Sequence, residues 1–439
     1  MRKVGIFLII AFFLNFIQIG ILKADQKSFE EEILEILKKK KIITQEKYQE
    51  LTHKLKAEDK SVNEEILEIL KQKKIVSQAK YEQLKQRAVD EKKATREIFE
   101  IPEGLKGVKF KGLWYLDYKA GSKSDKGYNQ FSLTRGYIDF RKKFTPWFSA
   151  RVTPDIKRDD TGDYKLRLKY LYGKFFLPDF KGIFTKNYIE AGLIHIPWLD
   201  FEEHINPYRC QGTMLLERNH IFNSADLGVG LFGYFGGEMA DEYKKHVNSH
   251  FAGRYGSYAL GVYNGGGYHA PENNDNKVFE GRITLRPFPD SLPGLQFSYF
   301  GLRGKGNIEE KPDWKVDLAF LSYENTWGRL VGQYAWCKGS QKGKYKLGGI
   351  DIADERDKEG FSFFGFLRIP WDDRFRIFGR YDYWDPNTHV SNNIEKRYMG
   401  GLSFDIYRDC MLVMDYENLD YDNGQADDDF FQTVLQIKY

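Results

Sequence analysis

Very little in this 439-residue chain has the spacing of bond-making chemistry. Cys210, Cys337 and Cys410 are far apart and form no CxxC or CxH pattern, so they point to neither a metal centre nor a disulfide framework; one incidental disulfide stays open. The 8 histidines are scattered, and no nucleophile, base and orienting group stand together. No cofactor, metal or catalytic residue is therefore assigned. What recurs is cations at every second position. RFRIFGRYDYW carries Arg374, Arg376 and Arg380 with Asp382 on one face and Phe375, Ile377, Gly379 and Tyr381 on the other. VFEGRITLR sets Glu280, Arg282 and Arg286 against Phe279, Ile283 and Leu285. YKLRLKYLY sets Lys165, Arg167 and Lys169 against Leu166, Leu168, Tyr170 and Tyr172. Arg151 with Asp155, and Arg135, continue the set, while Asp317, Asp415 and Glu417 are expected on the same polar side. Their chemistry is electrostatic: a row of charges facing water opposite a greasy face.

Strands of this kind must be positioned by a closed sheet. From about residue 105 the sequence breaks into short alternating runs, with strands expected near 110–119, 130–143, 147–157, 164–177, 187–196, 227–236, 256–264, 277–287, 294–303, 313–325, 329–338, 360–370, 374–384, 395–407, 411–420 and 430–439. About sixteen strands is the even number that a closed bacterial barrel requires. Short links such as Phe144-Thr145-Pro146 and Arg408-Asp409-Cys410 alternate with long ones such as 196–226 and 339–359, as in transmembrane barrels. The segment 237–255 breaks this rule, because a short turn is expected there. Trp114, Tyr115, Trp147, Trp327, Trp371, Tyr381, Tyr383 and Trp384 fall near strand ends, where interfacial girdles need them. Aromatics reach 16% while mean hydropathy is -0.57, a combination that suits two-sided strands better than a solid core. In a membrane barrel a cation on the lipid face costs about 2–4 kcal/mol near the midplane, which sends the basic set inward. Most of these side chains are expected to form ordinary ion pairs inside the barrel.

Met1-Arg2-Lys3, an apolar run to Ile21 and Leu22-Lys23-Ala24 read as a signal peptide over 1–24, with a retained anchor as the alternative because Leu22 is larger than the usual small residue. Without Arg2, Lys3 and Lys23 the formal charge falls from +4 to roughly +1, which is not the balance of a nucleic-acid-binding protein. Residues 25–100 hold a duplication at an offset of roughly 33 residues: EEILEILKKKKIITQEKYQEL from Glu31 returns as EEILEILKQKKIVSQAKYEQL from Glu64. Each copy reads as a helical hairpin, with Thr44 or Ser77 capping its second helix. Such a unit is expected to pack on its twin, on other subunits or on a cell-wall or periplasmic partner, or else to serve as a solvated spacer.

FSLTRGYIDFRKKFTPWFSARVTPDI, EAGLIHIPW followed by LLERN and DLGVGLFG, VYNGGG with NDNKVFEGRITLRPFP, and the aromatic terminus, taken in that order along 105–439, resemble the phosphate-selective porin O and P type channels. The resemblance implies an outer-membrane barrel of about sixteen antiparallel strands, behind a short coiled-coil-like helical segment, that forms a homotrimer and passes small anions or phosphate. A general or organic-solute porin, or a structural protein tethering the envelope through its helical head, are the alternatives. His195 departs from the basic or polar residue expected at its place and Leu193 is apolar, which weakens strict phosphate selectivity. The loop 197–226, with Glu202, His204, Arg209, Glu217 and Arg218, is the candidate constriction; an extracellular lid or trimer latch is the other reading. The last ten residues, FFQTVLQIKY, form the expected closing strand against VKFKGLWYLDY, with Phe431 and Tyr439 on its lipid face as part of a signal for the barrel-assembly machinery. Deleting Tyr439 should therefore impair membrane insertion, scored by folded-band formation, far more than it alters conductance per inserted molecule.

Overall fold

The computed structural model describes residues 103–159 and 161–439 and, of the amino-terminal part, 43–56 with Leu34, Leu37, Lys38 and Ile69. The chain divides into two compact units, Met1–Lys106 and Gly107–Tyr439. The expected signal peptide and the Ser77 cap lie outside the described residues. In the first unit α1 spans Gln45–Lys56, and the Lys47 amide donates to Thr44 Oγ1 at 3.2 Å, an N-cap bond. Leu34, Leu37 and Leu51 are buried with Ile43, Tyr48 and Ile69 against them. Ile69 belongs to the second copy of the repeat, and this residue packs on the apolar cluster of the first.

The second unit is a closed antiparallel barrel of sixteen strands. They are β1 Val108–Lys123, β2 Lys126–Thr145, β3 Phe148–Arg158, β4 Tyr164–Phe176, β5 Phe184–His195, β6 Ala225–Phe235, β7 Gly256–Tyr263, β8 Val278–Leu285, β9 Leu295–Lys305, β10 Asp313–Glu324 and β11 Gly328–Lys338, then β14 Asp357–Ile369, β15 Asp372–Asp385, β16 Glu395–Tyr407, β17 Cys410–Tyr421 and β18 Asp428–Lys438. Between β11 and β14 a hairpin of β12 Lys344–Leu347 and β13 Ile350–Ala353 stands apart from the barrel, in a stretch expected to be plain loop. Every strand read from alternation is present. The β1–β2 link is tighter than expected: only Ser124 and Asp125 lie between the strands, both with positive φ (48° and 61°), the conformation of a two-residue hairpin turn.

β18 closes the barrel on β1, in register from Leu113↔Lys438 to Ser122↔Asp429. Gly112 and Tyr439 exchange both backbone bonds, at 3.0 and 3.1 Å. The outer surface carries leucines, valines and aromatics such as Leu166, Leu227, Leu260, Phe279, Ile283 and Leu330, all exposed. At the end that holds the carboxyl terminus, Phe144, Trp147, Phe180, Trp327, Trp371 and Tyr439 form an exposed aromatic ring. Such an exterior is stable in hydrocarbon.

Three expectations about side-chain direction are corrected. Asp317 lies on the outer face, bidentate with Arg303 at 2.7 and 2.9 Å, because Val316, Leu318 and Phe320 of β10 turn inward to pack on a lumenal loop. Tyr170 and Tyr172 are buried inside, because Lys169 is an extra residue in β4 opposite Thr153 and Pro154, and this bulge switches the faces beyond it. Tyr115 and Trp384, expected in girdles, are also buried inside.

Closure leaves no room for a Cβ at Gly121, where it would meet Asp429 O at 1.9 Å; at Gly379 the nearest atom is 3.7 Å away. Gly121→Leu is expected to cost about 1–3 kcal/mol or more and to lower the temperature at which the compact, heat-modifiable band unfolds on gels, whereas Gly379→Ala leaves it unchanged.

Candidate functional site

The segment 196–224 between β5 and β6, here called L3, folds into the lumen, and its sequence explains why. Trp198, Phe201, Ile205, Tyr208, Met214 and Leu215 are all buried, on a stretch carrying the short helices α2 (Leu199–Ile205) and α3 (Leu215–Arg218). They meet the apolar inward faces of β9, β10, β14 and β15. Trp198 lies 5.1 Å from Phe320 and 5.6 Å from Phe300, and Tyr208 stacks on Phe378 at 4.1 Å with its hydroxyl 2.8 Å from Ser403 Oγ. Each such side chain contributes about 1.5–3 kcal/mol through burial, which goes a long way towards offsetting the ordering of the loop.

Polar anchors fix the register. Arg282 Nε donates to Pro197 O at 3.0 Å, Arg329 Nη1 to His204 O and Ile205 O at 2.8 and 2.7 Å, and Arg380 Nη1 to Thr213 O at 2.9 Å. Gln211 donates to Asp415 and Glu417 at 3.2 and 2.9 Å. Glu202 faces the wall, accepting from Trp198 Nε1 and Gln333 Nε2 at 2.7 Å each; burial, outweighing the Arg380 cation, pushes its carboxyl up to about 7. Cys210 is buried in the same loop and its thiol is pushed up to about 12; all three cysteines are free.

The polar side of L3 presents Arg209 between Glu203 (2.6 Å) and Glu217 (2.7 Å). Burial raises Glu217, but Arg209, then Lys169 and Arg135, hold its carboxyl below the ordinary value. Arg135 of β2 lies over the Tyr137 and Tyr115 rings at 4.7 and 5.6 Å, and Lys169 of β4 donates to Ser224 Oγ and lies over Tyr268 at 4.3 Å. Among the described residues neither forms an ion pair with a carboxylate. Arg151 is paired with Asp139 at 2.6 Å and lies 2.9 Å from His195 Nε2, and Arg167 is paired with Asp155 at 2.7 Å.

The predicted basic set therefore divides. Arg135, Arg151, Arg167 and Lys169 form the wall facing L3. Arg282 and Arg380 are loop anchors, the latter also paired with Asp382 at 2.7 Å. Arg286 donates to Pro293 O and lies over Tyr243. Lys165 is exposed at the loop end with Asp159, Arg374 sits at the opposite end with Asp372, and Arg376 pairs with Asp405. Of the loop residues, Arg209 and Glu217 pair with each other on its polar side, Arg218 lies 3.8 Å from Asp382, and Glu202 and His204 serve the packing of α2.

Sequence reasoning missed Asp139, Glu190 and a basic mouth. A cavity of about 460 Å³ at the end holding the carboxyl terminus is lined by Asp139, Arg151, Glu190, His195 and Asp200 among others. A second, of about 560 Å³, lies between His220 of L3 and the β12–β13 hairpin; five cations (Lys342, Lys344, Lys346, Arg356, Lys358) line it against Asp351 and Asp354, a net of three positive charges. Alternation of Asp139 with Tyr137 and Arg141 could have revealed the first of these groups; the mouth is built largely on the β12–β13 hairpin, whose four-residue strands are too short to show a period.

No protein-family model matches the sequence, and no curated protein matches it. Among solved structures, the chain is similar in fold to the anion-selective porin from Comamonas acidovorans (TM-score 0.52, 9% identity, covering 76% of this chain and 99% of that one). It is similar also to OmpF of Salmonella typhi in complex with daunomycin (TM-score 0.52, 10% identity, covering 76% and 97%). The shared architecture, a closed barrel with an apolar exterior, is that of bacterial outer-membrane proteins, and the chain resides in that membrane.

The raised Glu202 carboxyl gives a signed pH dependence. A docked α2 prefers the neutral acid, so its docking is complete below the ordinary carboxyl value and weakens as pH rises through about 7. Amide exchange of 199–205, corrected for intrinsic rates, should therefore accelerate from acid to neutral pH in the wild type, and Glu202→Gln should flatten this response.

Proposed function

We propose that the protein is an outer-membrane porin whose lumen is narrowed by L3 and which favours small anions, phosphate among them, by diffusion rather than by bond chemistry. The observation that carries this reading is the packing of L3 onto one half of the interior, so that its polar side faces a wall bearing Arg135, a cation without a carboxylate partner among the described residues, while the buried Lys169 ties that wall to Ser224 at the end of the loop. Selectivity in such a pore follows from the charges that border its narrowest part. The three net positive charges of the loop-end mouth support the same preference, since a basic vestibule raises the local concentration of anions. The remaining inward arginines are paired or hold loop carbonyls, which favours moderate over strict selectivity. The proposal includes a homotrimer in outer-membrane lipid, recognition of Phe431 and Tyr439 by the barrel-assembly machinery, and a cell-wall or periplasmic partner for residues 25–100.

Planar-bilayer reversal potentials in asymmetric KCl test it. The wild type should be anion-selective, Arg135→Glu should reverse or abolish the preference, and the double change Lys342→Glu/Lys346→Glu should lower the anion-to-cation ratio by roughly two- to fivefold at low salt. The mouth effect should fade at about 1 M salt, where screening extends only about 3 Å. Phosphate that leaves the chloride current untouched identifies a general or organic-solute porin, and cation selectivity sinks the anion reading.

A further inference from the structure

The segment 236–255 between β6 and β7, here called T3, is the connection too long for its end of the barrel, and the channel reading makes no use of it. It carries α4 (Asp241–His246) and turns back into the lumen from the end opposite L3's outer mouth. Phe251 packs edge-on against Phe201 of α2 at 5.3 Å, and the Arg282 guanidinium lies 5.1 Å over the same ring. Asn248 Nδ2 donates to His204 O at 3.0 Å and to Glu324 at 2.9 Å, and Arg329 Nη2 donates to Val247 O at 3.0 Å. At the centre of the contact the imidazoles of His204, from L3, and His250, from T3, lie 3.8 Å apart between centroids, tilted by 34°. Both rings line the cavity that is left at this end of the lumen.

We infer that T3 is a strap that narrows this end of the lumen by docking on L3, and that the stacked His204 and His250 rings are its acid-sensitive latch. Two stacked imidazoles can both be neutral, or one can be charged beside a carboxylate, but two charged rings at this separation repel. The surroundings supply one carboxylate for this purpose. Asp200 Oδ1 of α2 lies 3.7 Å from His204 Nδ1, but it also faces His195 Nε2 of β5 at 3.8 Å. The other charged groups at this cavity are already engaged: Arg329 from β11 with Glu324, Lys438 from β18 with Asp409 at 2.9 Å, Arg151 from β3 with Asp139, and Glu190 from β5 with Lys174 and His195 at 3.3 Å each. His250 is exposed to this cavity; desolvation on its packed side first, then the facing His204 ring, lower it to about 4. A depressed histidine favours the docked state above its ordinary value, near pH 6.5, and that preference is lost as pH falls toward about 4. Over the same range Glu202 becomes protonated and fastens α2 to the wall. Acid therefore releases T3 while L3 stays in place.

Only the conductance readout rests on the porin reading; strap release can be followed without it. The full chain in detergent is compared by hydrogen exchange over residues 239–252, corrected for intrinsic rates, at about pH 7.5 and about pH 4.5, and by single-channel conductance in bilayers at the same two values. Protection in 239–252 should be lost at the acid value and conductance should step up. His250→Gln, or His204→Gln if the first variant does not give the heat-modifiable barrel, should lose both responses. An acid step that persists in either folded variant, or equal protection of 239–252 at both values in the wild type, overturns the latch. An exchange response without current at any pH would instead overturn the porin reading and leave the latch standing.

Discussion

In hydrocarbon no water is present to satisfy a backbone amide or carbonyl, so a sheet in a membrane must close. Here closure depends on the pairing of the first strand with the last, ending in the two bonds between Gly112 and Tyr439. The rest of the molecule follows from that contact. Once the sheet is closed, successive side chains divide between lipid and lumen, and the interior of a sixteen-strand barrel is too wide for its own side chains to fill. Something else must occupy or hydrate it. In this chain two connections do so, one from each end.

The interior is divided in character. β9, β10, β14 and β15 turn apolar side chains inward, among them Phe300, Leu318, Phe320, Phe364 and Phe378, and these receive the aromatic side of L3. β1 to β4 turn inward Tyr115, Arg135, Tyr137, Asp139, Arg151 and Lys169, which stay polar and face the other side of the loop. A single folded loop thus turns a symmetric cylinder into an eccentric passage with one wall of protein core and one of charge. Most buried arginines in it are structural. Removing water from a guanidinium is costly unless its donors are used, and Arg282, Arg329 and Arg380 spend theirs on carbonyls of L3.

The strands were legible because period two survives wherever one face meets lipid and the other water. The reading failed where that premise failed. On β10 both faces carry apolar groups, and the inner one won because Trp198 and its neighbours are there to cover it; Asp317 was left outside. On β4 the extra residue Lys169 shifted the faces, which no local pattern announces. The lumenal loop was visible through its length and its charged residues, but the direction of each was not: Glu202 and His204 are consumed by packing, while Arg209 and Glu217 pair with each other on its polar side. T3 was visible only as a turn of the wrong length, since its contacts with His204, Arg282 and Arg329 are made across the barrel.

One residue shows how the two inward segments are tied together. Arg329 donates from Nη1 to His204 O and Ile205 O, the last carbonyls of α2, and from Nη2 to Val247 O, at the end of α4. A helix leaves its final carbonyls without intrahelical partners and carries partial negative charge at that end, so one guanidinium serves two helix ends at once. Only arginine offers donors in a fixed fork that can span both; a lysine would satisfy one helix and leave the other's carbonyl buried and unpaired. Its charge is balanced by Glu324 at 3.0 Å across the short β10–β11 turn, and that carboxylate in turn receives Asn248 of T3 and Gln296 of β9. The coupling between L3 and T3 is therefore built on the rigid wall as well as on the histidine contact. Loss of the histidine contact therefore loosens T3, whereas L3 keeps anchors of its own from Arg282 and Arg380.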